Sequence, residues 1–166
     1  MGRLFDAAAS LLGLADYNHY EAMSGLMLEA AADAAPARPP GEGIIPLASR
    51  DRGEGFFELD HRPLLLRLIE LGEQGEPASS LAWFFHDALA DALARAARRV
   101  SDQVGIRSVA LSGGVFCNAL LTELTATRLE AAGLEVLLHR HVPPNDGGLA
   151  YGQAAIAAAT LAARNL

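Results

Sequence analysis

A chain of 166 residues, 51% of them apolar, has the length and the core-forming content for one packed domain or for one lobe of a larger one. Its net charge of −7, with no basic run, argues against nucleic acid held by phosphate neutralisation. The single cysteine, Cys117, excludes an internal disulfide and a cysteine zinc site, and no apolar run nears the ~18 residues of a membrane span, so a reducing, cytoplasmic setting is expected.

The opening MGRLFDAAASLLGL is not a signal peptide, because Asp6 interrupts it. It reads as a helix over 3–13 that begins abruptly, which implies a chain cut from a longer parent with Met1 internal to it. Leu4, Phe5, Ala8, Leu11 and Leu12 share one face of that helix and Asp6 lies opposite. A second helix is predicted over Tyr20–Ala35, then a Pro/Gly loop over Ala35–Gly43. Ile44–Ala48 and Phe56–Leu59 read as a hairpin around the charged turn Arg50–Gly55. Asp60 is the expected N-cap of a third helix, with Pro63 in its first turn and Leu64–Leu71 as its body. After the loop Gly72–Pro77, Ser79 or Ser80 caps a long helix that runs to about Gln103 and ends at Gly105. Its apolar stripe is Leu81, Phe85, Ala88, Leu89, Ala92, Ala96 and Val100.

The pattern then becomes regular. A strand over 106–111 meets a Gly-Gly turn, and a helix runs to about Ala132 with Leu120, Leu121, Leu124 and Ala131 on one face. Gly133 follows, then a strand over 134–139, a polar loop, and a last helix over about Gly148–Ala163. This order implies two parallel strands joined by a right-handed crossover. The expected fold class is therefore α/β, helix-rich, with a small mixed sheet that contains a parallel βαβ unit. The expected parts are a helical segment over 1–35, a hairpin over 44–59, helices over 60–104 and a βαβα core over 106–166, all within one lobe.

The chemistry concentrates in two loops. In SVALSGGVFCNALL, Ser108–Leu121, the paired glycines Gly113 and Gly114 let a backbone pass close to a ligand, and the helix start behind them offers unpaired N–H groups to an anion. Ser112 and Asn118 flank the turn, and an amide reads hydroxyls or amides with both donor and acceptor. The same glycines also suit a plain strand-to-helix turn. No P-loop lysine is present, so this is not a Walker site. The second loop, VPPNDGGLAYGQ over Val142–Gln153, carries Asp146, which reads either as an N-cap or as a carboxylate for a divalent metal. His139 and His141 flank it on one face of an extended chain, where with Asp146 they would imitate a metal site; the plain alternative is a pair of exposed strand-end histidines, which are common. Asp6 suits the helix dipole of its own first turn, and equally the two hydroxyls of a ribose. Cys117 is expected to be a small buried residue, and His86, Trp83, Phe84 and Phe85 to be structural.

Four blocks together, GRLFDAAASLLGL, FFHDALADAL, LSGGVFCN and HVPPNDGGLAYGQAA, resemble the C-terminal part of the hydrogenase maturation carbamoyltransferase HypF family, in the right order and along the whole chain. The related threonylcarbamoyl transferases of tRNA modification share the plan, and the group resembles the actin/Hsp70/sugar-kinase fold, two α/β lobes closing on ATP. The resemblance implies that Asp6 holds the ribose, that Ser112, Gly113, Gly114 and Asn118 line the phosphates or a carbamoyl-adenylate, and that Asp146 is a metal ligand. It implies ATP, Mg²⁺ and a divalent metal, iron or zinc, shared with a histidine-bearing helix that this chain lacks. It implies an enzyme that converts carbamoyl phosphate through carbamoyl-adenylate and passes carbamoyl to the C-terminal cysteine of a HypE-type acceptor, toward the cyanide ligand of [NiFe]-hydrogenase. The other reading is a non-catalytic nucleotide-binding or partner-docking module that is inactive without its missing lobe, with self-association through an exposed lobe face. Two departures from the family stand out: Ala22 follows Tyr20-Glu21 where the family usually has glycine, and Cys117 stands where a polar residue is usual.

Overall fold

The computed structural model describes residues 1–35, 47–53 and 55–164. The Pro/Gly loop after Ala35 and the first residues of the expected hairpin, 44–46, lie outside these.

Helix α1, Gly2–Leu11, buries Phe5, Ala8 and Ala9. Leu11 is left 46% exposed, so the buried face turns toward Ala9 and away from the bulkier residue. Helix α2, Met23–Asp33, buries Ser24, Leu28 and Ala32. It starts at Ala22, whose φ of +61° makes it the sole non-glycine residue with positive φ among those described. A Cβ in the left-handed region crowds the following carbonyl at a cost of roughly 1–2 kcal/mol, which glycine avoids. That conformation explains why glycine is natural at this position. Ala22→Gly should therefore stabilise the protein by about 1 kcal/mol, read as a melting temperature higher by roughly 2–4 °C.

Strands β1, Ala48–Gly53, and β2, Phe56–Asp60, pair antiparallel. The charged run expected as a turn is mostly strand, because this two-stranded ribbon leaves its polar residues in water. Arg52 pairs with Glu58 and Arg50 with Asp60 across it, and the turn shrinks to a bulge with Gly53 and Gly55 both at φ +81°. Helix α3, Arg62–Glu73, has His61 rather than Asp60 at its cap position. Asp60 acts one residue early. Its carboxylate accepts from the Arg62 backbone N–H and guanidinium, and those bonds hold it well below the usual carboxylate range.

Helix α4, Ala78–Val104, is the centre of the fold. Its first half is buried on more than one face: Leu81, Ala82, Phe85, His86, Ala88, Leu89, Ala90 and Ala92 are all enclosed. It packs against α1, α2, α3 and helix α5, Ala119–Ala131, and a helix with that many neighbours needs apolar or small residues nearly all round. The predicted stripe fails at its far end, where Val100 is 42% exposed and Ser101 is buried, its hydroxyl donating to the Ile106 carbonyl. Gly105 closes the helix at φ +74°.

Strands β3, Ser108–Leu111, and β4, Glu135–Leu138, pair in parallel through α5, Ser108 opposite Glu135 and Leu111 opposite Leu138. The antiparallel and parallel pairings expected of the sheet are both present, as two separate two-stranded sheets. A small second core, Ala94, Leu111, Leu129 and Leu134, sits beneath the parallel pair. Helix α5 buries Leu121, Leu124, Thr125 and Leu129, so Leu129 takes the place expected of Ala131. Helix α6, Leu149–Arg164, is exposed along its described length, with Leu149, Tyr151, Ile156 and Leu161 each more than 60% exposed. Among the described residues no helix is long and apolar enough to cross a membrane.

Candidate functional site

The ends of the two parallel strands build one loop pair. After β3, Ser112 is exposed and Gly113 adopts φ +100° with open space where a Cβ would stand. A single 3-10 turn, Gly114–Cys117, leads into α5. After β4, Asn145 opens a second 3-10 turn, Asp146–Gly148, its side chain accepting from Gly147 N–H. Two contacts join the loops. Gly113 N–H donates to the Pro144 carbonyl at 2.8 Å, and Ser112 Oγ lies 3.0 Å from His139 Nε2. The two loops expected at adjacent strand ends are thus in contact. As the first residues of a 3-10 turn, Gly114 and Val115 have N–H groups with no acceptor inside it.

The start of α5 is a different matter. It was expected to offer free N–H groups to an anion, but its first turn is already satisfied by protein. Glu29 on α2 sends Oε1 to Ala119 N–H at 2.6 Å and Leu120 N–H at 3.1 Å. Asn118 is the N-cap and accepts from Leu121 N–H at 2.7 Å, and Thr122 N–H reaches the Asn118 carbonyl. The carboxylate of Glu29 takes the place an anionic ligand would have there. Asn118 itself is buried and its amide Nδ2 meets His86 Nε2 at 3.0 Å. Its side chain therefore works inside the protein, where a ligand contact was expected. Cys117, expected to be buried, is exposed, because the turn sends the neighbouring Phe116 toward the core.

Asp6 stands apart from both loops. It is half-buried on α1 and lines a polar cavity of about 360 Å³ with Arg3, Ser10, Asp16, Asn18 and Ser24. Asn18 orients it: Nδ2 donates to Asp6 Oδ1 at 3.0 Å, while Asn18 Oδ1 accepts from the Ser24 backbone N–H at 2.9 Å and from the Ser24 hydroxyl. One amide thus ties the 12–22 loop to both helices and leaves the other carboxylate oxygen of Asp6 for a ligand.

Asp146 is exposed, and its expected capping role falls to Asn145. His139 and His141 do not complete a metal site with it: among the described residues no three His, Cys, Asp or Glu side chains cluster as ligands. A single exposed carboxylate does not make an iron or zinc site.

The comparisons fit this layout. Residues 1–153 match a family described as the carbamoyltransferase Kae1-like domain, second subdomain. The chain belongs to that family. It is similar to a carbamoyltransferase HypF homolog of Cupriavidus necator, 40% identical over 160 residues, which cover 95% of this chain and 40% of that protein. It is similar to the carbamoyltransferase HypF of Rhizobium leguminosarum bv. viciae, 40% identical over 158 residues, 95% of this chain and 19% of that one. The chain thus spans less than half the length of these relatives. It also superposes on a crystal structure of full-length HypF in its phosphate- and nucleotide-bound form with a TM-score of 0.79 and 30% identity, over 95% of this chain and 24% of that one. The carbamoyltransferase subdomain therefore has the helix-rich, Kae1-like fold that its motifs implied.

Sequence reasoning missed Glu29, Asn18 and the partnership of His86 with Asn118. Asn18 and Glu29 carry no local motif, and His86 lies 32 residues from its partner. For His86 the one available signal is a polar residue inside an apolar helical stripe.

Proposed function

We propose that this subdomain forms part of an ATP-dependent carbamoyltransferase, contributing two contacts to one nucleotide. The Asp6 carboxylate would receive the ribose hydroxyls in the polar cavity. Ser112, the Cβ-free backbone of Gly113 and the N–H groups of Gly114 and Val115 would face the phosphates or the carbamoyl-adenylate, since N–H groups aimed at a leaving phosphate stabilise the charge that develops on it. The observation that carries this reading is the Gly113–Pro144 hydrogen bond, which holds the glycine turn open beside the second loop. The phosphate- and nucleotide-bound state of the similar HypF supports it.

In this reading carbamoyl phosphate is activated with ATP and Mg²⁺, and the acceptor is the C-terminal cysteine of a HypE-type protein, toward the cyanide of a [NiFe]-hydrogenase. The attacking thiolate belongs to the acceptor. Asp146 would be a ligand this chain lends to a metal completed from elsewhere. A docking module without turnover is the second reading. The exposed apolar residues of α6, Leu149, Tyr151, Ile156 and Leu161, favour it and would also serve self-association.

Calorimetric titration of the whole protein with ATP and Mg²⁺ tests the proposal. Asp6→Ala should weaken ATP binding at least ~10-fold, the loss of about 1.4 kcal/mol of hydrogen bonding to a charged group. Unchanged affinity would remove Asp6 from the site. A partner bound with equal strength in the presence and absence of nucleotide would favour the docking module.

A further inference from the structure

His86 is fully enclosed in α4, edge-on against the rings of Phe5 and Phe85, and no step of the proposed reaction uses it. Its hydrogen bonds determine its protonation state. Nδ1 lies 2.7 Å from the Ala82 carbonyl, which only accepts, so Nδ1 carries the proton. In a neutral ring Nε2 is then an acceptor, and at 3.0 Å it faces the Asn118 amide nitrogen, which only donates. That contact sets which way round the amide sits. Its oxygen must point the other way, where it accepts from Leu121 N–H at 2.7 Å and caps α5.

We propose that His86 is the positioning residue of the glycine turn: as the neutral Nδ1–H tautomer it orients the Asn118 amide, and the amide anchors the junction where Gly114–Cys117 enters α5. The assignment rests on the reading of that turn as part of the nucleotide site. The turn is tied at its other end by the Gly113–Pro144 bond, so its amides are held between two anchors. Thr122 Oγ1 adds a bond to the Phe116 carbonyl at 3.0 Å, joining the turn to the first turn of α5.

The geometry makes ring protonation and the cap mutually exclusive. A doubly protonated ring presents N–H to Asn118 from Nε2. The amide must then turn its oxygen to the ring, which sets its NH₂ against Leu121 N–H, two donors face to face. The charged groups around His86 are Glu29 and Asp33 on α2, both favouring the protonated ring; α1 offers the Phe5 ring and α5 the neutral Asn118. Burial outweighs the two acids and lowers the His86 pKa from its ordinary value. A base whose folded pKa lies below its unfolded one stabilises the fold above the unfolded value, about 6.5, and that contribution is lost as pH falls below it.

The test is made on the whole protein with His86→Gln and His86→Asn. Glutamine reaches the Nε2 position and accepts from Asn118 without titrating. Asparagine reproduces only the Nδ1 donor. Two readouts are followed from about pH 8 down to the acid edge of folding: exchange protection of the Leu121 amide relative to its intrinsic rate, and affinity for ATP with Mg²⁺. In the wild type, protection should fall as pH drops below about 6.5, by up to about tenfold per pH unit, and ATP affinity should fall only at the lower pH where the folded ring itself takes up a proton. His86→Gln should keep both within about threefold and lose the acid limb, while His86→Asn should lose both at every pH. Equal Leu121 protection in all three proteins would overturn the coupling, as would an acid limb that survives in His86→Gln. Protection that follows His86 while ATP affinity does not would overturn the positioning role. If the wild type binds no ATP, the nucleotide reading has failed, and the positioning role with it; the exchange data then separately decide the His86–Asn118 coupling.

Discussion

Phe85→Ala is expected to destabilise the protein by about 3–5 kcal/mol, the range for removing a fully buried aromatic ring and leaving a cavity behind. Phe85 has no exposed surface and stands at the middle of the main core. Its ring meets that of Phe5 edge-on, with centroids 5.0 Å apart and planes at 85°, and an edge-to-face pair adds roughly 0.5–1.5 kcal/mol beyond the area it buries. Phe5 precedes Asp6 on α1, so the same deletion loosens the helix that carries the carboxylate proposed to receive the ribose. The expected result is a lower denaturation midpoint with an unchanged slope, and weaker ATP binding even where the variant remains folded. Phe85→Leu, which keeps much of the volume, should lose distinctly less. A loss below about 1 kcal/mol for Phe85→Ala would mean that the core relaxes around the gap, and that α1 is held by other contacts.

The elements were readable where periodicity and end signals agreed. Helices α4 and α5 end, and strands β3 and β4 begin and end, within about two residues of expectation, because Gly105 and Gly133 mark the helix ends and compact apolar runs mark the strands; the expected cap of α4 at Ser79 or Ser80 is not used, since the helix starts after Pro77 and takes both serines into its first turn. Errors arose where one pattern has two physical causes. Arg50, Asp51 and Arg52 look like a turn because they are charged, yet a ribbon with a solvated face takes charged residues in its strands and pairs them across. The single stripe assigned to α4 misses Ala82 and Ala90, since alanine adds little to an amphipathic signal but lets neighbouring helices approach closely.

The site was legible as loops and less so as roles. Glycines at a strand end and the polar run over 143–148 announce a special backbone, and the structure brings the two together. The direction of the Asn118 side chain could not be read. Asparagine is equally suited to a ligand and to an N-cap. The choice is made by His86, and nothing local links the two positions. Glu29 is the sharper case. An anion site at the start of α5 is a sound inference from backbone physics, but the protein supplies its own carboxylate from a helix 90 residues earlier in the chain.

Gly148→Ala should cost about 1–3 kcal/mol, the usual penalty for forcing atoms into a filled space, and should weaken nucleotide binding along with stability. A Cβ built there falls 2.7 Å from the Pro143 carbonyl oxygen and 2.7 Å from Val142 Cγ1. A side-chain methyl can turn aside, but the carbonyl belongs to the backbone, so relief requires moving the Pro143–Pro144 segment. Pro144 is the acceptor for Gly113 N–H, so the shift reaches the glycine turn on the neighbouring strand through one hydrogen bond. Four residues along the chain, Gly152 has nothing within 4 Å of an added Cβ, and it lies within α6. Gly152→Ala should therefore be neutral or stabilising by up to roughly 1 kcal/mol, as expected of glycine replaced inside a helix. Thermal melts of the two variants, with ATP titrations at a temperature where both are folded, separate loop geometry from helix propensity. If Gly148→Ala bound ATP as tightly as the wild type, the second loop would not set the glycine turn, and the site would depend on the His86–Asn118 anchor alone.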